Sequence, residues 1–200
     1  MKNHCQAFTG TGKRYRAKSL RIQSPKINTM KGYIQVYTGN GKGKTTAAFG
    51  QALRAEGAGL KVFIGQFVKG KAYNENKAIA KYLKNTTVKQ YGLGCFIVNT
   101  PTEADISAAR QGLEEMRKII HDGKYDLVIM DEVNIALYYK LFEIDELIEL
   151  LQSKPDHVEL ILTGRYAPQK IIDVAHLVTE MKEVKHYYQD GVQAREGIEF

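Results

Sequence analysis

Short apolar runs alternate with longer amphipathic stretches along the chain from residue 34 onward. Runs that are rich in β-branched and aromatic residues and bounded by turn residues predict strands. The predicted strands are Ile34–Tyr37, Lys61–Phe67, Val88–Tyr91, Asp126–Met130, Val158–Thr163 and Leu177–Met181. The helices predicted between them are Thr45–Glu56, Asn74–Leu83, Thr102–His121, Ile135–Lys140, Ile144–Ser153 and Lys170–Ala175.

This alternation predicts an α/β fold. Most of the predicted strands are apolar throughout, which is typical of a parallel sheet covered by helices on both faces. We therefore expect one domain over residues 32–200, with a three-layer fold and a mostly parallel central sheet. In such folds ligands bind beyond the carboxyl ends of the strands, so the residues that follow each strand are the candidates for function.

A glycine-rich loop follows the first predicted strand and leads directly into a helix. Its sequence, Gly-Asn-Gly-Lys-Gly-Lys-Thr-Thr, occupies residues 39–46. The usual phosphate-binding loop would place its first glycine at position 38, but Thr38 stands there and the glycine follows at position 39. The loop N–H groups and the helix N-terminus favour an anion, while Lys44 adds charge and Thr45 a hydroxyl for Mg²⁺. The loop predicts nucleotide binding, with a plain glycine-rich turn as the alternative.

Charged residues also follow two later strands. Asp131 and Glu132 come directly after the apolar run "LVIM", where P-loop folds keep a carboxylate that faces the nucleotide's metal ion. Ordinary N-capping of the next helix is the alternative for this pair. Arg165 follows "LILTG" and could bind phosphate oxygens, or could be a surface arginine in a turn.

Composition narrows the class of protein. The chain is 44% hydrophobic and 26% charged, and no run of about 18 apolar residues occurs, so we expect a globular protein without a membrane span. Residues 1–31 contain eight Lys and Arg and no acidic residue, so the rest of the +7 chain is close to neutral. We interpret residues 1–31 as a basic N-terminal arm that is disordered or loosely docked. A nucleic-acid-binding module that uses this arm is an alternative, which the near-neutral remainder disfavours.

The motifs described so far do not decide which reaction the protein catalyses. A RecA-like P-loop ATPase or a small kinase would need a group that positions water or a hydroxyl near the γ-phosphate, and Glu132 could supply it. The sequence shows no serine or cysteine nucleophile motif, and its two cysteines and five histidines have no metal-ligand spacing. The two cysteines also favour a reduced, cytoplasmic location.

Five stretches of the sequence stand out together: "YTGNGKGKTTAAFGQALRAEGAG", "IGQFVKG", "DLVIMDEVNIAL", "LILTGR" and "EVKHYYQDGVQAREGIEF". Together they resemble the ATP:corrinoid adenosyltransferases of the CobA/BtuR (CobO) type. The resemblance covers residues 32–200 and includes the shifted glycine and the C-terminal stretch, to which the residues by themselves assign no chemistry. It implies a P-loop (RecA-like) fold for that region and leaves the arm outside.

The resemblance implies that ATP is held in a reversed orientation, so that C5′ of its ribose is presented for attack. Co(I) of a reduced corrinoid, cob(I)alamin or cob(I)yrinic acid a,c-diamide, would displace the whole triphosphate. Such an enzyme would need no side-chain nucleophile or general base, because it works by positioning and electrostatics. Mg²⁺ is the implied cofactor, with Mn²⁺ tolerated, and the implied partners are a second copy of the chain and a flavin protein that supplies the reductant.

The resemblance also assigns residues. The implied catalytic residues are Lys44 and Glu132, and the implied metal ligands are Thr45, Asp131 and Glu132. The implied ATP-binding residues are Gly39, Asn40, Gly41, Lys42, Gly43, Lys44, Thr45, Thr46 and Arg165. Some family members contact the corrinoid through a Gly-Phe-x-Trp stretch, where this sequence has Gly94-Cys95-Phe96-Ile97. Phe96 is therefore the expected corrinoid contact, and Cys95 is expected to be a plain buried thiol.

Overall fold

Strands and helices alternate in the computed structural model, which describes residues 30–71, 73–94, 97 and 100–199. The strands are β1 (Ile34–Thr38), β2 (Val62–Phe67), β3 (Thr86–Tyr91), β4 (Leu127–Asp131), β5 (Glu159–Thr163) and β6 (Leu177–Glu180). The helices are α1 (Lys44–Gly57), α2 (Asn74–Tyr82), α3 (Glu103–Asp122), α4 (Val133–Tyr138), α5 (Ile144–Gln152) and α6 (Gln169–Val174). A short 3₁₀ helix, Tyr187–Asp190, follows β6 and was not predicted.

The six strands form one sheet in the order β3-β2-β4-β5-β1-β6, and every pairing is parallel. One strand, β5, separates β1 from β4, which is the RecA-like arrangement. Since all strands run in the same direction, the residues that follow β1, β2, β4 and β5 meet at one edge of the sheet. The predicted α/β class and parallel sheet are confirmed.

Two apolar clusters cover the two faces of the sheet and make it the middle of three layers. On one face α1 packs through Ala48, Ala52 and Ala55, small residues spaced so that they share one side of the helix and let it approach the strands closely. The α2 residue Ile79 belongs to the same cluster. The other four helices cover the opposite face, where α3 buries Leu113 and Met116 among others.

Element boundaries differ from the predicted ones by two residues at β3, which begins at Thr86 instead of Val88, and at α4. This helix begins at Val133 instead of Ile135, because Glu132 adopts a left-handed backbone conformation (φ 59°) that turns the chain directly from β4 into the helix. A capping box begins α3: the Asp105 N–H donates to Thr102 Oγ1, and the Thr102 N–H donates to Asp105 Oδ2.

The predicted N-terminal arm lies outside the described residues, apart from positions 30 and 31, and so do Cys95 and Phe96. In the part of the chain that the structure covers, none of the helices has the length and apolar character needed to span a bilayer.

Candidate active site

The glycine-rich loop joins β1 to α1. Gly39 (φ 94°) and Gly43 (φ 120°) both have left-handed backbone angles. A Cβ atom on Gly39 would lie 2.5 Å from the carbonyl oxygen of Met181, which also accepts a 2.6 Å hydrogen bond from the Gly41 N–H. Position 39 therefore requires glycine, both for its backbone angle and because a Cβ atom would collide with the Met181 carbonyl oxygen. Thr38 is the last residue of β1, so the first glycine is also the first residue of the loop.

Lys44, the first residue of α1, folds back over the loop. Its Nζ donates to the carbonyl oxygens of Gly39 at 2.8 Å and Gly41 at 2.7 Å, and the residue is 8% exposed. Burial lowers the pKa of Lys44, and the charge of Arg165 lowers it further, while nearby carboxylates act in the opposite direction. A phosphate bound at the loop would stabilise the charged form of Lys44 and so offset the lowering of its pKa. The arrangement therefore favours an anionic ligand.

Asp131, at the end of β4, is fully buried and joins three neighbouring elements. Its Oδ1 accepts hydrogen bonds from the hydroxyls of Thr45 and Thr163, each at 2.8 Å. Its Oδ2 accepts from Gln66 Nε2 at 3.0 Å and from Lys69 Nζ at 2.8 Å. These four donors connect β4 to α1, β5 and the end of β2.

Lys69 is a site residue that the sequence analysis missed. It stands two residues after β2, its side chain is 10% exposed, and its Nζ also lies 3.4 Å from Thr45 Oγ1. Burial lowers the pKa of Lys69, but the charges of Asp131 and Glu132 outweigh burial and raise it above its ordinary value. The position of Lys69 after a buried strand could have indicated it, by the same rule that identified Asp131.

Glu132 follows Asp131 and differs from it in its surroundings. Its backbone N–H donates to Thr163 Oγ1 at 2.9 Å, whereas its carboxylate makes no hydrogen bond or ion pair with the described residues. Burial and the charge of Asp131 raise the pKa of Glu132, and the charges of Lys69, Lys44 and Arg165 oppose that rise. A partly buried carboxylate without a partner is ready to accept a cation.

The C-terminal segment, residues 183–199, reaches back to the glycine-rich loop. Lys42 Nζ donates to the carbonyl oxygen of Ile198 at 2.7 Å, to Glu199 Oε1 at 2.9 Å and to the Tyr187 hydroxyl at 3.2 Å. Tyr187 also donates to Glu199. These hydrogen bonds from Tyr187 and Lys42 lower the pKa of Glu199.

Two clefts open at the carboxyl edge of the sheet. The first, about 500 Å³, contains the loop and the C-terminal segment, and we call it the phosphate cleft. The second, about 550 Å³, we call the tyrosine cleft, because its lining includes Tyr138, Tyr139 and Tyr166. Both volumes are typical of small-molecule sites. The residues that line both clefts are Lys44, Lys69, Glu132 and Arg165.

A model of the family described as ATP:corrinoid adenosyltransferase BtuR/CobO/CobP matches residues 30–200. The chain belongs to the ATP:corrinoid adenosyltransferase family. It is similar to the corrinoid adenosyltransferase of Sinorhizobium sp, with 38% identity over 85% of this chain and 81% of the relative. It is also similar to that of Escherichia coli (strain K12), with 36% identity over 85% of this chain and 86% of the relative. A solved KaiC-like protein from Pyrococcus horikoshii OT3 overlays with TM-score 0.49 and 18% identity, over 75% of this chain and 73% of that one.

Membership of the adenosyltransferase family confirms the resemblance and the prediction that the chain is an enzyme of this class. The individual site residues stay predictions, and the structure places most of them together. Those that line the phosphate cleft are Gly41, Lys42, Gly43, Lys44, Thr45, Thr46, Glu132 and Arg165. Gly39 and Asn40 lie in the same loop without lining the cleft, and the Asn40 carbonyl oxygen accepts a long 3.5 Å hydrogen bond from Arg165.

Backbone strain in this family member is concentrated at the tyrosine cleft. Val68 (φ 60°), Glu132 (φ 59°) and Tyr166 (φ 60°) all have left-handed angles that side-chain-bearing residues rarely adopt. Each follows a different strand, and each lines this cleft. Strain of this kind persists where the surrounding structure enforces it, and it is concentrated at functional sites.

The oxygen donors at the phosphate cleft fit Mg²⁺ carried with a phosphate ligand. The Thr45 hydroxyl and the Glu132 carboxylate line the cleft, and Mg²⁺ commonly binds one or two such groups together with substrate phosphates. Among the described residues, no three His, Cys, Asp or Glu side chains gather into a cage for a metal ion. Direct ligation by Asp131 would require displacement of the Lys69 ammonium group from its Oδ2 atom.

Replacing Glu199 with glutamine should loosen the C-terminal segment. The substitution removes the charge that Lys42 and Arg195 contact and weakens the acceptor of the Tyr187 hydroxyl. We expect faster trypsin cleavage after Lys185 and Arg195, with the melting temperature nearly unchanged. Glu114→Gln, an exposed substitution on α3, is the control, and equal cleavage rates for both variants would contradict the prediction.

Proposed function

We propose that the chain transfers the 5′-deoxyadenosyl group of ATP to Co(I) of a reduced corrinoid, cob(I)alamin or cob(I)yrinic acid a,c-diamide, and releases triphosphate. The observation that carries this proposal is the meeting of the two clefts. One cleft is built from a phosphate-binding loop and lysines, the other is lined by tyrosines, and four charged residues belong to both. This arrangement suits a reaction between a polyphosphate and a large apolar partner.

The proposed reaction is one substitution at carbon. The electron pair of Co(I) forms a bond to C5′ of ATP, and the bond between C5′ and the phosphate oxygen breaks with its electrons staying on triphosphate. Cobalt changes formally from Co(I) to Co(III), and no proton transfer is required. The absence of a nucleophile motif in the sequence therefore agrees with this chemistry.

The protein's task in this reaction is to bind the leaving group and orient C5′. Lys44 and Arg165 would neutralise charge that develops on triphosphate, and the loop N–H groups from Gly41 to Thr46 would hold its oxygens. Lys69 would keep the buried Asp131 neutralised and so keep Thr45 in position. The catalytic effect would come from positioning and electrostatics.

Thr45 and Glu132 would hold Mg²⁺ at the phosphate cleft, with Mn²⁺ as a tolerated substitute. When bound, the ion neutralises phosphate charge and so makes triphosphate a better leaving group. Asp131 would act indirectly, by accepting the hydrogen bond of the Thr45 hydroxyl. This hydrogen bond leaves lone pairs of the Thr45 hydroxyl oxygen directed to a ligand.

Replacing Glu132 with alanine should weaken the dependence of turnover on Mg²⁺. We expect the Mg²⁺ concentration for half-maximal activity to rise at least about tenfold, since the ion loses a carboxylate ligand worth about 1.4 kcal/mol or more. A Mg²⁺ titration of initial rates at saturating ATP measures the shift. The exposed Glu114→Ala serves as the control, and an unchanged titration for Glu132→Ala would remove this residue from the ligand set.

The deciding experiment identifies the products. The protein is incubated anaerobically with ATP, Mg²⁺ and chemically reduced cobalamin, and the mixture is analysed for adenosylcobalamin and for intact triphosphate. Both products together would establish attack at C5′. ADP and phosphate without a cobalt–carbon product would instead support the RecA-like ATPase or kinase. If neither appears, the same assay with the a,c-diamide precursor tests the second corrinoid.

We further propose a homodimer, a flavin protein as the source of reductant, and a cytoplasmic location, all by analogy with the family. Light scattering after gel filtration measures the mass of the assembly. A monomer at assay concentration with full activity would contradict the dimer as the active form. Replacing the chemical reductant with a reduced flavin protein tests the second of these proposals.

A further inference from the structure

Two tyrosines form a stacked and exposed pair at the tyrosine cleft. The ring centroids of Tyr138 and Tyr166 are 4.5 Å apart with an angle of 31° between the planes, and the residues are 56% and 53% exposed. Tyr138 ends α4, whereas Tyr166 lies in the turn after β5. Tyr139 packs edge-on against Tyr138 and donates its hydroxyl hydrogen to the Ile97 carbonyl oxygen at 2.9 Å. These two contacts hold the Tyr139 side chain in place beside the pair.

The exposure of this pair needs an explanation. Large aromatic side chains contribute most when they are buried, yet these two leave about half of their surface in solvent. The chain also accepts a left-handed backbone at Tyr166 (φ 60°), the residue whose ring packs against Tyr138. A strained residue that presents an aromatic face at the rim of a cleft indicates a surface kept ready for a ligand.

The pair lies next to the phosphate cleft. Lys44, Lys69, Glu132 and Arg165 line both clefts, so a molecule that covers the tyrosines also approaches the groups that bind the leaving group. Three apolar side chains also line the tyrosine cleft: Val68, Ile97 and Ile135. The surface therefore suits a large flat ligand with an apolar face.

We propose that Tyr138 and Tyr166 form an aromatic platform on which the corrin macrocycle of the second substrate packs, and that this platform sets the affinity for the corrinoid. The inference rests on the proposed function and assigns residues to its second substrate. A corrin ring presents a broad conjugated face with methyl and amide groups at its periphery, and this face would bury the exposed tyrosine rings and exclude water from the surface it covers. The macrocycle would then be held beside the triphosphate-binding residues.

Adenine is the other flat group in the reaction and could also stack on tyrosine. The phosphate cleft is lined by aromatic residues of its own, Phe49 and Tyr73, beside the loop proposed to bind the nucleotide. The tyrosine cleft, at about 550 Å³, is as large as the whole phosphate cleft. Both observations favour the macrocycle as the occupant of the tyrosine platform.

Steady-state kinetics with Tyr138→Ala, Tyr166→Ala and the double variant test the platform. We expect the KM for cob(I)alamin to rise roughly tenfold for each substitution, because a stacking surface is lost, with the KM for ATP within about twofold of the wild-type value. The Phe variants keep the aromatic face, so their KM for cob(I)alamin should rise much less than that of the Ala variants. Tyr82→Ala, which removes an exposed tyrosine of α2 outside both clefts, is the matched control.

The outcomes separate the platform from the proposed function. An unchanged KM for cob(I)alamin in an active wild-type background would overturn the platform and leave adenosyl transfer standing. A rise confined to the KM for ATP would assign the platform to adenine and overturn the proposal. A wild-type protein that forms no adenosylcorrinoid from either corrinoid would overturn the proposed function.

A binding measurement tests the platform without turnover. The chain contains no tryptophan, so Tyr166→Trp introduces a single tryptophan at the platform, which can be excited apart from the tyrosines, and Tyr82→Trp introduces one outside both clefts. We expect hydroxocobalamin to quench the first strongly and saturably. The second corrects for light absorbed by the corrinoid and should show a much weaker saturable change, because energy transfer to a bound corrinoid falls steeply with distance. Equal quenching of both variants would overturn the platform.

Discussion

Replacing Lys44 with alanine should lower kcat/KM for adenosyl transfer by about 10²–10³-fold, the usual cost of removing one charged donor from a group that gains negative charge. The Lys44 ammonium group already lies over the loop, 2.7 and 2.8 Å from two of its carbonyl oxygens, and is shielded from solvent. Because it is held in place, it is ready to stabilise the leaving triphosphate. ATP affinity should fall as well, since the proposed site would have Lys44 contact phosphate in the ground state too.

Stopped-time assays of adenosylcobalamin measure the rate, and isothermal titration with ATP measures the affinity. Lys118→Ala, an exposed lysine on α3, controls for the loss of one positive charge. Lys42→Ala should have a smaller effect than Lys44→Ala, because the Lys42 ammonium group is engaged by the C-terminal segment. Full activity of Lys44→Ala, with its melting temperature preserved, would contradict the assignment of the loop as the triphosphate site.

The sequence predicts those parts of the site whose positions follow from residues adjacent to them in the chain. The glycine-rich loop is recognisable because strand, loop and helix follow one another, and Lys44 and Thr45 begin that helix. Asp131 and Arg165 follow apolar strands, so their position at the functional edge follows from the parallel sheet. The fold class was predictable for the same reason, since the alternation of elements leaves few other arrangements.

Lys69 was not predicted because its partner is distant in sequence. The hydrophobic pattern predicts β2 and β4 as strands but does not show that they are neighbours. In the structure they pair with Gln66 opposite Asp131, and this register brings the residues after β2 to the Asp131 carboxylate. A lysine after a strand becomes a site residue only once that neighbour is known.

The C-terminal segment was missed for a different reason. Residues 183–199 are largely polar and have neither helical nor strand periodicity, so their pattern predicts no element. Their position depends on Lys42, Tyr187 and Glu199, which are far apart in the sequence and meet only in the folded chain. Family resemblance indicated that this stretch was distinctive, and the contacts show that it forms a wall of the phosphate cleft.

Replacing Lys69 with methionine should cause a large loss of stability, about 3 kcal/mol of the free energy of unfolding. Lys69 Nζ and Asp131 Oδ2 are 2.8 Å apart, and the two side chains are 10% and 0% exposed, so the variant would bury an unpaired carboxylate. Urea unfolding followed by far-ultraviolet circular dichroism measures the change. Lys89→Met breaks the exposed pair with Glu115 and should cost less than about 1 kcal/mol.

The difference between wild type and Lys69→Met should also depend on pH. Burial raises the pKa of Asp131, but in the wild type Lys69 and the neighbouring donors bring it below its ordinary value. Asp131 therefore stabilises the fold above its unfolded pKa, and this contribution is lost as the pH falls. Without Lys69, burial should raise the pKa of Asp131, so the variant is penalised at neutral pH and relieved by acid. The difference should shrink as the pH falls.

Adding Asp131→Asn to Lys69→Met separates the effect of the ion pair on stability from its effect on turnover. The double variant no longer buries an unpaired carboxylate, so most of the lost stability should return, as a double-mutant cycle would show. Turnover should stay low, because Lys69 lines both clefts and Asp131 positions the Thr45 hydroxyl. If Lys69→Met were as stable as the wild type at neutral pH, or if activity returned together with stability, the ion pair would not have the role assigned to it.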